Sequence, residues 1–206
     1  AVEDLARHAS NWETPLEVTY RGHRLLECPP NGQGIVALQA LGILEGFDLG
    51  AMKWGFYEPL HLQIEALKLA FADAGRYLAD PCHAPVPAGG VLHPEYLARR
   101  RALIDREQAA AQYEPGLPGA YADTVYLSVV DEQRNAVSFI NSLYQGFGSG
   151  LVVPGTGIAL QNRGALFSLD SAHPNCIAPG KRPYHTIIPA LLFQGGQLVA
   201  SLGVMG

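Results

Sequence analysis

The chain has 206 residues, of which 48% are hydrophobic and 16% charged, and its formal net charge is −5. This length suits one domain with a sizeable core, and the acidic balance argues against a nucleic-acid partner, since no Lys/Arg cluster exceeds Arg99-Arg100-Arg101. No run approaches the ~18 apolar residues that a membrane span requires, so a soluble protein is expected, with cytoplasm and periplasm both open as compartments.

Residues 1–17 read as the tail of a helix and a loop, and Leu16 to Leu26 alternates as two short strands around Arg21-Gly22. Cys28-Pro-Pro-Asn-Gly-Gln-Gly then breaks structure. Asn31 is the expected cap of a helix carrying Ile35, Val36, Leu38, Leu41, Ile43 and Leu44, with Gly46 as its stop. A second helix is expected from Pro59 to Leu78. Its apolar stripe is Leu60, Ile64, Leu67, Ala70, Phe71 and Ala74, with Glu65, Lys68 and Asp73 on the opposite side. His61 and Glu65 share a face there, but no third ligand accompanies them, so no metal is expected. A third helix is expected from Pro94 to Gln112, with Arg99-Arg100-Arg101 as a solvated face.

The linker Tyr113 to Asp123 mixes Gly and Pro and is expected to be exposed. After it, Val125 to Val130 and Ala136 to Tyr144 read as two strands, joined by a turn at Asp131 to Asn135. Asp131 and Asn135 suit turn chemistry rather than acid catalysis. The glycines from 146 to 157 read as tight turns, because no Gly-Lys-Ser/Thr follows them to make a phosphate loop. Cys28, Cys82 and Cys176 form no CxxC pair, which argues against a zinc site and a disulfide framework. Helices first and strands afterwards indicate an α+β arrangement.

Thr124 opens its strand directly after the linker. A threonine there can act as a nucleophile if the bond before it is cut, with its freed α-amine, of pKa about 8, as general base. The stretch from Asp123 to Gly150 resembles the start of the small subunit of the γ-glutamyltranspeptidases, whose precursors cleave themselves ahead of a threonine. Residues 147–162, Pro-Gly-Lys-Arg-Pro at 179–183 and the closing Gly-Val-Met-Gly match in the same order. Pro-Pro-Asn-Gly-Gln-Gly at 29–34 and the segment 70–81 resemble the large subunit.

The resemblance implies the four-layer αββα sandwich of N-terminal-nucleophile hydrolases, with large-subunit sequence over 1–123 and small-subunit sequence over 124–206. It implies a γ-glutamyl compound as substrate, water or an amino acid or peptide as acceptor, and no cofactor. Thr124 is then the nucleophile, Asp123-Thr124 the bond that cleaves itself, and Ser142 the hydroxyl that assists. Gly206 matches the first of two glycines whose N–H groups hold the oxyanion; the second would be residue 207. In the substrate pocket the pattern departs from the family. Tyr144, Arg163 and Leu166 stand where the family binds the substrate's α-ammonium, and His185 and Thr186 stand where two serines bind its carboxylate. Asp170 can replace the lost carboxylate if its loop folds back, and His185 can carry charge. The short segment between Phe167 and Lys181 implies that the family's lid loop is missing, which favours hydrolysis over transfer.

A glutaryl-amide acylase is the alternative substrate reading, and a non-catalytic binding module on the same fold is the alternative class. The sequence lacks an initiator Met and closes within a strand-to-loop transition, so it is expected to be a piece of a longer protein. Taken alone, the 206 residues are expected to be silent, uncut and self-associating through exposed edges, as a homo-oligomer.

Overall fold

The computed structural model describes residue 3, residues 6–114 and residues 123–204, with backbone alone at 123–125. Gly206 and most of the linker lie outside the described residues. Two antiparallel strands open the fold, β1 (Leu16–Tyr20) and β2 (His23–Glu27), joined at Arg21-Gly22 where both residues have positive φ. They continue into a four-stranded sheet of order β1-β2-β5-β6, in which β5 (Ile188–Gln194) and β6 (Gln197–Val204) come from the far end of the chain. All its pairings are antiparallel.

Helix α1 (Gly34–Leu44) and helix α2 (Tyr57–Tyr77) supply the main core, in which Ile43, Leu62, Ala66, Leu69 and Ala70 are wholly enclosed. Leu38 of α1 packs with Leu25 and Ala190 and fixes the helix layer to the sheet. Helix α1 is capped at Gln33, without a side-chain cap. Asn31, the expected cap, instead donates from Nδ2 to the Pro183 carbonyl at 2.5 Å.

The buried face of α2 departs from the expected one, although Ala70 and Ala74 are buried as expected. Leu60, Ile64, Leu67 and Phe71 are exposed, while Glu65 and Asp73 are buried. Both carboxylates are tolerated inside because they are paired. Glu65 accepts from Lys68 Nζ at 2.7 Å, Tyr113 Oη at 2.7 Å and the Ala110 amide at 3.2 Å. Asp73 pairs with Arg100 at 3.0 Å and also accepts from Gln39. Burial pushes the Glu65 carboxyl up, but these donors together hold it below its ordinary range.

A short helix α3 (Ala88–Val91) precedes α4 (Pro94–Arg101), which ends well before Gln112. Beyond it, Asp105 Oδ1 accepts from the amides of Glu107 and Gln108, which sets a turn in place of further helix. Of the arginine trio only Arg99 is exposed, and the other two are not a solvated face. Arg101 donates from Nε to the Ile43 carbonyl at 2.6 Å and from Nη2 to Gly42 at 2.9 Å, closing the C-terminal end of α1.

Strands β3 (Asp123–Val130) and β4 (Ala136–Tyr144) form the expected hairpin as a separate two-stranded sheet. Its tip is the Asp131-Asn135 turn, where Asp131 accepts from the Asn135 amide and side chain at 2.8 Å each. The hairpin meets the larger sheet face to face. Tyr126 Oη lies 2.9 Å from Ser201 Oγ, Ser138 Oγ donates to the Leu202 carbonyl, and the Tyr126 ring fills the space over Gly203 where a Cβ would fall 2.4 Å from Cδ2.

Candidate active site

Alternation along β3 and β4 brings the two hydroxyl positions together. Thr124 and Ser142 are direct partners across the hairpin, and Asp123 is the partner of Tyr144. Two steps on β4 therefore match one step on β3, and Leu143 is the extra residue of a bulge at the Asp123-Thr124 bond. The Leu143 carbonyl, released from the ladder, accepts from the Asn162 amide at 3.1 Å. Asn162 also holds Gln145 through both its side-chain oxygen and its amide, so residues 147–162 fold back on the end of β4. Ser142 Oγ accepts from the Tyr144 amide at 3.0 Å.

Tyr144 follows in a strained position, with φ of 79° and its side chain buried. The Arg163 guanidinium stacks on it, with Cζ 5.2 Å from the ring centroid. Arg163 comes from a short 3₁₀ turn (Arg163–Leu166) and is only 2% exposed. Its Nη1 donates to Thr186 Oγ1 at 2.8 Å, whereas Nη2 has no hydrogen-bond partner among the described residues. Burial lowers the Arg163 pKa from its ordinary value and Tyr144 opposes the shift.

His185, next along the chain, is pushed down to about 4 by burial and by the Arg163 charge. It is therefore neutral at pH 7 and does not carry the charge expected of it. Asp170 does not fold back as a replacement carboxylate. It is exposed and accepts from the Ala172 amide at 2.9 Å, capping its own turn. Tyr144, Arg163, His185 and Thr186 thus belong to one neighbourhood, and Leu166 accepts from Asn175 Nδ2 through its carbonyl. Among the described residues no group of three His, Cys, Asp or Glu side chains is placed to hold a metal.

The segments singled out by sequence lock onto one another. The His185 carbonyl accepts from the Gln33 amide at 2.7 Å and its amide donates to Asn31 at 3.0 Å, joining 29–34 to 183–187. Asp80 accepts from the Arg182 amide and guanidinium at 2.9 Å each. Burial opposes charge on Asp80, yet Arg182 and the Cys82 amide hold its carboxyl far below the usual range. A cleft of about 480 Å³ runs between these segments, lined by Glu27, Asn31, Ser138, Arg182 and His185 among others. Sequence reasoning did not single out Glu27, and it gave Glu65 and Asp80 neither Tyr113 nor Arg182 as partner, since these lie far away along the chain.

Comparison with known proteins finds relatives over nearly the whole chain. A glutathione hydrolase-like YwrD proenzyme of Bacillus subtilis (strain 168) is 38% identical over 205 residues, covering 100% of this chain and 38% of the relative. An oxamate amidohydrolase proenzyme of Klebsiella pneumoniae is 39% identical over 203 residues, covering 98% and 38% respectively. The crystal structure of a cephalosporin acylase from Bacillus halodurans superposes with a TM-score of 0.87 at 49% identity, over 97% of this chain and 35% of that one. The chain spans less than two fifths of the length of these relatives. Its fold is the N-terminal-nucleophile hydrolase sandwich in part, as the resemblance implied. No helix among the described residues is long and apolar enough to cross a membrane. The gamma-glutamyltranspeptidase family profile matches residues 1–206, and the chain belongs to that family.

Proposed function

We propose that this chain carries the nucleophile of a self-processing amide hydrolase or acyltransferase, with Thr124 attacking and Ser142 orienting it. The observation that supports this most is the pairing of Thr124 with Ser142 beside a bulge at the bond to be cut. In maturation the Thr124 hydroxyl attacks the Asp123 carbonyl, an ester replaces the amide, and water releases Asp123 as a carboxylate. The chain is then divided into 1–123 and 124–206. In turnover the same hydroxyl takes the acyl group of a substrate amide, the amine departs with a proton, and water or an acceptor amine takes the acyl group from the ester. Gly206, beyond the described residues, is the proposed source of one oxyanion N–H, worth on the order of 3 kcal/mol of barrier. γ-Glutamyl amides and glutaryl amides are the two acyl donors under consideration, and family relatives named as glutathione hydrolase and as acylase support both.

Intact mass of the full-length protein tests the reading. Two fragments are expected, one beginning at Thr124, and Thr124→Ala should abolish both cleavage and turnover. A single uncut chain that still hydrolyses substrate would sink the mechanism. An electrophilic glutamine analogue should label Thr124 in the processed protein; a fully processed sample that resists labelling would favour the binding module.

A further inference from the structure

The positions of the proposed nucleophile and oxyanion donor are reached along strands of different sheets. β3 opens with Asp123-Thr124 in the two-stranded sheet, whereas β6 belongs to the four-stranded one and ends at Val204, two residues before Gly206. No ladder of hydrogen bonds joins β3 to β6, so contacts between the two sheets must set their separation. Those contacts run in order along β6. Arg134, at the hairpin tip, donates from Nη2 to the Leu198 carbonyl at 2.6 Å, and farther on Tyr126 meets Ser201 and Gly203. β6 therefore runs from the tip of the hairpin towards the end where Thr124 opens β3.

Tyr126 stands two residues after Thr124, about 7 Å of strand, and Gly203 stands three residues before Gly206. The Tyr126 ring occupies the place of a side chain on Gly203, where a Cβ would fall 2.4 Å from Cδ2, 2.7 Å from Cε2 and 3.0 Å from Cγ. Gly203 is not among the glycines of positive φ, so its backbone would suit any residue, and the ring is what keeps the position bare. The Tyr126 hydroxyl lies 2.9 Å from Ser201 Oγ and 3.3 Å from Ser138 Oγ, while Ser138 donates to the Leu202 carbonyl at 3.1 Å. Ser201 and Gly203 are alternate residues on one face of β6. Ring and hydroxyl thus grip the strand at two points, which resists sliding as well as separation.

We propose that Tyr126 is a positioning residue for the Thr124 reaction: seated on Gly203 and Ser201, it holds the strand that opens with the nucleophile at a set distance from the strand that leads to the oxyanion glycine. This rests on Thr124 as nucleophile and Gly206 as an oxyanion donor. As the Thr124 hydroxyl bonds the amide carbon, the carbonyl oxygen takes up an electron pair. It returns that pair when the C–N bond breaks and the amine leaves with the proton. An N–H serves the charged oxygen well within about 2.7–3.1 Å, and a misplacement of about 1 Å costs up to about a hundredfold in rate. In maturation the same hydroxyl attacks the Asp123 carbonyl, so the clamp bears on both steps.

The test uses the full-length protein as parent, Tyr126→Phe, Tyr126→Leu and Gly203→Ala, with γ-glutamyl and glutaryl p-nitroanilides as substrates. An electrophilic glutamine analogue, carried to its endpoint, counts the competent Thr124 in each sample. Tyr126→Leu and Gly203→Ala should lose about twentyfold or more in kcat per labelled Thr124, with KM within about twofold of the parent. Tyr126→Phe keeps the ring on Gly203 and should lose no more than about fivefold, the worth of one ordinary hydrogen bond. A folded Tyr126→Leu that stays uncut, beside a Tyr126→Phe that matures, is the same result at the first step. If Tyr126→Leu does not fold, Gly203→Ala carries the test. A kcat per labelled site within about twofold of the parent in both disrupting variants would overturn the clamp. So would a loss confined to KM, to the labelled fraction or to the melting temperature, and Tyr126 would then be an ordinary packing residue. Where Thr124 is labelled in the parent, the clamp alone falls. If Thr124 is never labelled in the processed parent, the nucleophile reading falls with it.

Discussion

Glu27 ends β2 as a residue only 2% exposed, and among the described residues neither carboxylate oxygen has a partner in hydrogen-bond geometry. It is packed so tightly under the start of α1 that a Cβ on Gly34 would fall 2.6 Å from Oε2. Burial pushes the carboxyl up from 4.5 to about 8, with the Cys28 amide pulling weakly the other way. The folded protein thus keeps a proton that the unfolded chain releases. The stability this contributes is complete below the unfolded value of 4.5 and is lost as pH rises through about 8. Glu27→Gln should therefore gain thermal stability relative to the parent as pH is raised from 5 to 8. Melting temperatures of both full-length proteins across that window decide it, and a constant gap would mean that Glu27 titrates normally. Arg163 and Glu27 differ instructively. A carboxyl can discard its charge when buried, whereas a guanidinium cannot.

Among the elements, α2 carries the clearest energetic claim. Replacing Glu65 with Ala leaves Tyr113, the Ala110 amide and Lys68 without their acceptor. Loss of these bonds should cost about 3 kcal/mol, less than a wholly buried ion pair because Lys68 is partly exposed. Denaturant unfolding of Glu65→Ala measures the loss, and a change within about 0.5 kcal/mol, the usual effect of a surface substitution, would refute it. The same helix shows where sequence was legible and where it was not. Its extent followed from periodicity, but apolar residues occur on both of its faces, so the buried side was decided by Asp73 and Glu65 finding distant partners. The hairpin was legible because its alternation and the Asp131-Asn135 turn are local. Pairing of Thr124 with Ser142 was expected from the family resemblance, and the register of that hairpin carries it. The stack of Arg163 on Tyr144 did not, since it depends on how the intervening glycine-rich loop returns through Asn162.

In the whole molecule, the larger sheet mixes strands from both sides of the junction, with β2 paired to β5 from Arg24 to Glu27. The proposed cut ahead of Thr124 would therefore sever no pairing of that sheet. Two apolar surfaces remain open on the described residues. One is the α2 stripe of Leu60, Ile64, Leu67 and Phe71; the other is the outer hairpin face of Leu127, Val129, Val137 and Phe139. Leu127 is paired with Phe139 and Val129 with Val137, so the second is a continuous patch. The isolated 206 residues should associate through such surfaces. Light scattering after size exclusion should report more than one copy, reduced by Val137→Lys with Phe139→Glu, and a monomeric parent would defeat the expectation. The bulge at Leu143 gives the hairpin two ends of opposite character towards insertion and deletion. Removing Leu143 would leave Ser142 opposite Thr124 and Tyr144 opposite Asp123 but abolish the bulge, and with it the carbonyl that accepts from the Asn162 amide. At the Asp131-Asn135 tip, exposed and closed by its own hydrogen bonds, added residues leave that register alone. Length variation among natural or engineered versions of this chain thus belongs at the tip, while the strand end beside Thr124, the proposed nucleophile, admits substitutions only.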